Sequence, residues 1–86
     1  MKEVRWSLLK SERLKRTRGV SFEELLQAKL VDVRRHPTRT EQKIMLIEHK
    51  GYIWVMPYTE TAHERFLKTL YPSRKYTKLY KRGELR

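Results

Sequence analysis

Two apolar runs of strand length meet at a Lys-Gly pair, in the segment KIMLIEHKGYIWVM from Lys43 to Met56. Runs of this kind, bounded by Gly and polar clusters, mark an antiparallel hairpin. With Lys50 and Gly51 as the two turn residues, Gly supplying a positive φ, the register follows. His49 then faces Tyr52, Ile47 faces Trp54 and Met45 faces Met56 on one side of the sheet. The other side carries Ile44, Leu46, Ile53 and Val55. One face is therefore aliphatic, and the other (Met45, Ile47, Tyr52, Trp54, Met56, Tyr58) is larger and partly aromatic. The larger face is expected to be partly covered by Tyr76, Leu79 and Tyr80. The remainder, Trp54, Met56 and Tyr58, is then left for a protein partner, since Trp, Tyr and Met favour interfaces.

The flanking segments supply the other elements. Val4-Arg5-Trp6 reads as a short edge strand. Ser7 is placed to N-cap a helix over Leu8 to Arg18, with Gly19 as its stop. Ser21-Phe22-Glu23-Glu24 is a capping box, and Val20 and Leu25 stand where a hydrophobic staple puts them. The spacing predicts a second helix from Phe22 to about Lys29 that buries Phe22, Leu25 and Leu26. Leu30 to Val33 reads as a strand ending near His36-Pro37, because Pro cannot join the middle of a ladder. A polar loop runs from Thr38 to Gln42. After the hairpin comes a third apolar-basic run, which Pro72-Ser73 breaks, capping a final helix from Arg74 to about Lys81. The expected fold is a single α+β domain over residues 1–86. It has one antiparallel sheet, two N-terminal helices on one face and a short C-terminal helix.

Size and charge narrow the function. With 86 residues and no Cys, the chain has one modest core and neither disulfides nor a thiolate zinc site. Its apolar runs are too short to span a bilayer, and the N-terminal residues lack the apolar segment of a signal peptide. A soluble cytoplasmic protein is expected. The 21 Lys and Arg against 10 Asp and Glu give a net charge of +11, which attracts polyanions. No Walker loop, dinucleotide fingerprint, HExxH or nucleophile elbow is present. The three histidines are far apart and lie near loops, so no metal site and no cofactor are expected.

RNA can be cut without a metal, because its 2′-hydroxyl is an internal nucleophile. A base, a cation for the pentacovalent phosphate and an acid for the 5′-oxygen suffice. Arg65, Lys68, Arg74, Lys75, Lys78, Lys81 and Arg82 interleave with Tyr71, Tyr76 and Tyr80. That pattern permits phosphate pairing with base stacking, and equally a solvated basic helix whose tyrosines simply pack. Lys68, Arg74 and Lys75 are the candidates for phosphate and transition-state charge, with Arg65 in support. Lys78, Lys81, Arg82 and Tyr76 are candidates for RNA contact. Acid–base candidates are His36, His49 and Tyr80, with Glu48 weaker. A DNA-binding protein is disfavoured, since the two early helices show no helix-turn-helix spacing.

These residues also resemble a family. Trp6 and the run RGVSFEELL from Arg18 to Leu26 resemble the opening of the BrnT-type toxins, which usually read HGVSFEEA after a Trp and a basic helix. The run FLKTLYPSRKYTKLY, Phe66 to Tyr80, is similar to that family's last strand, its SRKAT helix and its late Tyr. Gln42-Lys43-Ile44 and the Tyr52 to Tyr58 strand fit between them. Arg18 stands where the family usually has His, and Tyr76 where it has Ala. The resemblance implies a RelE-like ribonuclease fold and the toxin role in a type II toxin–antitoxin pair, with RNA as substrate and arrest of translation as outcome. It further implies a cognate antitoxin of the ribbon-helix-helix type, which would link the toxin to DNA only indirectly. The alternative is a non-catalytic basic RNA-binding module, or an inactive relative acting as corepressor.

Overall fold

The computed structural model describes residues 2–85. The chain runs β1 (Glu3–Arg5), α1 (Leu8–Arg18), α2 (Phe22–Leu26), β2 (Lys29–Arg35), β3 (Gln42–His49), β4 (Tyr52–Glu60), β5 (Glu64–Leu67), β6 (Tyr71–Pro72) and α3 (Arg74–Lys81). Lys50 and Gly51 take φ of 54° and 79°, the backbone of a type I′ turn. They join β3 to β4 in the expected register, with Met45 opposite Met56, Ile47 opposite Trp54 and His49 opposite Tyr52. The turn is further held by Glu48, whose carboxylate accepts the Gly51 N–H at 3.1 Å.

The sheet order is β1-β5-β4-β3-β2, and β6 pairs with β4. The α+β class stands, but the sheet is mixed rather than wholly antiparallel, because β1 runs parallel to β5. The two helices carry the chain from β1 at one edge to β2 at the other, so β1 is left to pair with a strand remote in sequence. Two further expectations are corrected. α2 stops at Leu26, where the Gln27 N–H donates to the Glu24 and Leu25 carbonyls and closes the last turn; Lys29 already belongs to β2. Leu26 is consequently exposed, not core.

Capping follows the sequence closely. The Ser7 hydroxyl accepts the Lys10 N–H, and Gly19, at φ 80°, ends α1. Ser21 and Glu24 form the reciprocal box, at 3.2 Å and 2.9 Å. Glu24 also meets Lys15 at 2.9 Å. The Lys15 contact, with the Ser21 amide second, holds the Glu24 carboxyl down at about 2, from 4.5. A lowered carboxylate stabilises the fold fully above its unfolded value and loses that contribution as pH falls. Urea midpoints for Glu24→Gln and the parent should therefore differ most at neutral pH, and the gap should close between about pH 4.5 and 2.

Each sheet face has its own core. Leu14, Phe22 and Leu25 from α1 and α2 pack with Met45, Ile47, Met56, Tyr58, Leu67 and Leu70. Opposite them, Tyr76, Leu79, Tyr80 and Leu85 pack on Ile44, Leu46, Ile53 and Val55. This reverses the expected cover, since α3 lies on the aliphatic face and the N-terminal helices on the aromatic one. Backbone bonding decides the matter. The Ser73 N–H donates to the Ile53 carbonyl at 2.9 Å, and the Ile53 N–H donates to the Thr77 hydroxyl at 2.8 Å. Those two bonds tie the start of α3 to β4. Met56 and Tyr58 are thereby buried beneath α1 and α2, and of the expected docking residues only Trp54 keeps partial exposure. Among the described residues, no helix is long and apolar enough to cross a membrane.

Candidate functional site

α1, the β2–β3 loop and the β5–β6 connection meet at the end of the sheet away from the hairpin turn. They enclose an open pocket of about 380 Å³. Lys10 comes from α1, His36 and Arg39 from the loop, and Lys68 and Tyr71 from the connection and β6; Gln42, Pro57 and Thr69 complete the wall. Three cations and an imidazole thus share one small concavity, and among the described residues no carboxylate lines it. Such a site favours an anion, with several donors converging on its oxygens.

Local bonding positions each group. The His36 N–H donates to the Gln42 carbonyl at 3.1 Å, closing the loop. The His36 ring then caps that loop, its Nδ1 accepting the Thr38 N–H at 3.2 Å and the Arg39 N–H at 3.1 Å. With Nδ1 accepting both amides, the neutral ring carries its proton on Nε2, which is then a hydrogen-bond donor. The Lys68 N–H donates to the Pro57 carbonyl at 2.8 Å, and its ammonium lies 5.4 Å from the Phe66 ring centroid. The Arg18 guanidinium donates to the Leu70 carbonyl, tying the end of α1 to the segment that carries Thr69 and Tyr71. Burial, and secondarily Tyr76, pushes the Tyr71 phenol up from its ordinary value, so it remains a donor.

The residues expected from sequence divide into four groups. His36 and Lys68 come together in the pocket. His49 and Tyr80 stand at the other end of the sheet. His49 ends β3, seven residues and about 23 Å of strand from Gln42. Tyr80 meets the Lys29 ammonium at 3.4 Å, and Lys29 pairs with Glu48. Glu48 is occupied by the hairpin turn. Arg74, Lys75, Lys78, Lys81 and Arg82 form the exposed surface of α3 and of its C-cap, with Tyr76 half-buried among them. Arg65 is engaged elsewhere. Glu60 takes Lys2, Lys43 and Arg65 at 2.8 to 2.9 Å, and those three contacts hold its carboxyl far below the usual range.

Lys10 and Arg39 were not singled out by sequence. Lys10 is one of several basic residues on α1 and Arg39 sits in a polar loop, and no spacing shows that the two elements meet. A larger cleft of about 450 Å³ runs along α1 and α2. Its polar groups serve the fold: Glu23 accepts from the Trp6 indole at 2.9 Å and from Ser11, whose bond chiefly lowers the Glu23 carboxyl. No group of three or more His, Asp or Glu residues placed to hold a metal ion occurs among the described residues.

No protein-family model matches the chain, and no curated protein matches it. Among solved structures, the fold is similar to the 1.1 Å crystal structure of the Brucella abortus ribonuclease toxin BrnT, at TM-score 0.56 and 16% identity. The match covers 85% of this chain and 97% of that one. The fold is the RelE-like fold of BrnT. At such low identity the BrnT likeness establishes architecture and leaves function to the site itself.

Proposed function

We propose that this protein is an RNA-cleaving toxin neutralised by a partner antitoxin, and that the pocket of Lys10, His36, Arg39 and Lys68 is where RNA is cut. The gathering of three cations and an oriented imidazole donor, with no carboxylate on the wall, carries this reading. The BrnT architecture and the net charge of +11 support it.

The pocket's groups fit the chemistry of transesterification. The scissile phosphate sits among the cations, and His36 Nε2–H donates to a phosphoryl oxygen that gains charge in the transition state. The 2′-oxygen attacks phosphorus, and its proton passes to solvent. The P–O5′ bond breaks, and the leaving 5′-oxygen takes a proton from the Lys68 ammonium. One product ends in a 2′,3′-cyclic phosphate and the other begins with a 5′-hydroxyl. Here His36 serves as an electrophile, not as the acid–base group expected from sequence.

One observation favours a second reading. The His36 Nδ1 is occupied, and among the described residues lining the pocket there is no carboxylate and no second imidazole to act as base. A non-catalytic RNA-binding module is therefore the competitor. Induced expression in a bacterial host separates the two. Growth arrest with RNA breakdown, relieved by co-expression of the neighbouring gene, is expected of the toxin. Normal growth with intact RNA would mark the module.

A further inference from the structure

Tyr71 joins the pocket to α3. It is 37% exposed and stands on the pocket wall, and α3 begins three residues after it. The three tyrosines of the basic-aromatic stretch are not equivalent. The Tyr76 ring has Arg34 at 5.6 Å and Lys75 at 5.4 Å from its centroid. The Tyr80 ring has Lys29 at 5.9 Å, and both rings pack against the aliphatic core. Their faces are already occupied. Among the described residues no cation lies over Tyr71, and its ring borders the cationic pocket.

Resting on the reading of the pocket as an RNA phosphate site, we propose that Tyr71 is the platform on which an unpaired base stacks while the adjoining phosphate sits in the pocket. Arg74 and Lys75, exposed at the start of α3 just beyond Tyr71, take the next phosphate along the strand. The substrate class follows. A base that stacks on a protein ring must leave its own stack, which an unpaired nucleotide does at little cost and a duplex does not. The ligand is therefore single-stranded RNA longer than the pocket itself. Tyr76 acts differently from the stacking role its sequence position suggests, since its ring orients cations.

The test uses the full chain and 2′-O-methyl RNA, which lacks the nucleophile and is not cut. Wild type should bind a single-stranded dodecamer more tightly than a hairpin duplex of the same composition. Tyr71→Ala should weaken dodecamer binding by about 5- to 100-fold, the effect of losing one stacked base. Tyr71→Phe, which keeps the π face, should stay within about two-fold of wild type. A 2-aminopurine in the strand should be quenched by wild type and by the Phe variant, but not by the Ala variant. Arg74→Ala with Lys75→Ala should weaken the dodecamer, reduce its salt dependence and leave a trinucleotide unaffected. Equal affinity for duplex and single strand, or an Ala variant that binds and quenches like wild type, overturns the platform and leaves the pocket reading standing. Absence of binding to any RNA overturns both.

Discussion

RNA cleavage is expected to fall by about 10²- to 10³-fold when Lys68 is replaced by alanine, the typical cost of removing one preorganised group that meets transition-state charge. The loss should appear in the cutting step, because Lys10 and Arg39 remain to hold the phosphate. Lys68 is exposed and its backbone N–H still bonds Pro57, so the fold should be unchanged by melting temperature. Lys68→Arg gives a sharper discrimination. Arginine keeps the charge but does not release a proton in proteins. Binding should then stay within a few-fold of wild type, while cleavage is lost nearly as far as in the alanine variant. Recovery of cleavage in Lys68→Arg would mean that the ammonium supplies charge alone, and the leaving oxygen takes its proton elsewhere. His36→Asn is the matching control on the opposite wall. The asparagine oxygen can still accept the Thr38 and Arg39 amides, and only the Nε2–H donor is removed.

The second large effect is on stability. Phe22 is fully buried at the N-terminus of α2, among Leu14, Leu25, Met45 and Met56. Phe22→Ala should cost about 3–5 kcal/mol, the lost transfer energy together with the cavity left behind. A domain of this size has stability near the low end of the usual range, so that loss removes most of it. The thermal midpoint should drop by more than about 12 °C. Leu26→Ala, four residues on in the same helix, should move stability by no more than about 0.5 kcal/mol, because Leu26 is exposed. Equal destabilisation by both variants would restore the longer, more deeply buried α2 that the sequence suggests.

The contrast between Phe22 and Leu26 shows what a sequence of this kind can convey. Local devices were legible. The hairpin register followed from alternation about Lys50-Gly51, and the ends of α1 and α3 followed from Ser7, Gly19 and Ser73. Each depends on residues within one or two turns of each other, where propensity and capping chemistry act. Relations between distant elements were not legible. Both sheet faces are apolar, so the pattern alone did not say which helix covers which. The answer lay in two hydrogen bonds to the Ile53 backbone, one from the Ser73 N–H and one to the Thr77 hydroxyl. The parallel pairing of β1 with β5 likewise joins residues about sixty positions apart.

The site divides along the same line. His36 is visible beside the Pro that ends its strand, where side chains reach a ligand, and Lys68 as one of the basic residues interleaved with tyrosines. Lys10 and Arg39 are not, since only the folded chain carries α1 to the β2–β3 loop. Arg65 is expected from sequence to support Lys68, yet Glu60 draws it, with Lys2 and Lys43, into a network along the strands. His49 and Tyr80 are separated from the pocket by the length of the sheet, and so stand outside the group that lines it.

The central claim is that this pocket cuts RNA by attack of its own 2′-hydroxyl. The most direct measurement incubates the purified protein with single-stranded RNA in the presence of a chelator and reads the product ends by mass spectrometry. Wild type should form fragments ending in 2′,3′-cyclic phosphate and beginning with 5′-hydroxyl, and Lys68→Ala should lose them. RNA left intact by wild type, fragments beginning with 5′-phosphate, or the same cyclic ends from Lys68→Ala at the wild-type rate would contradict it.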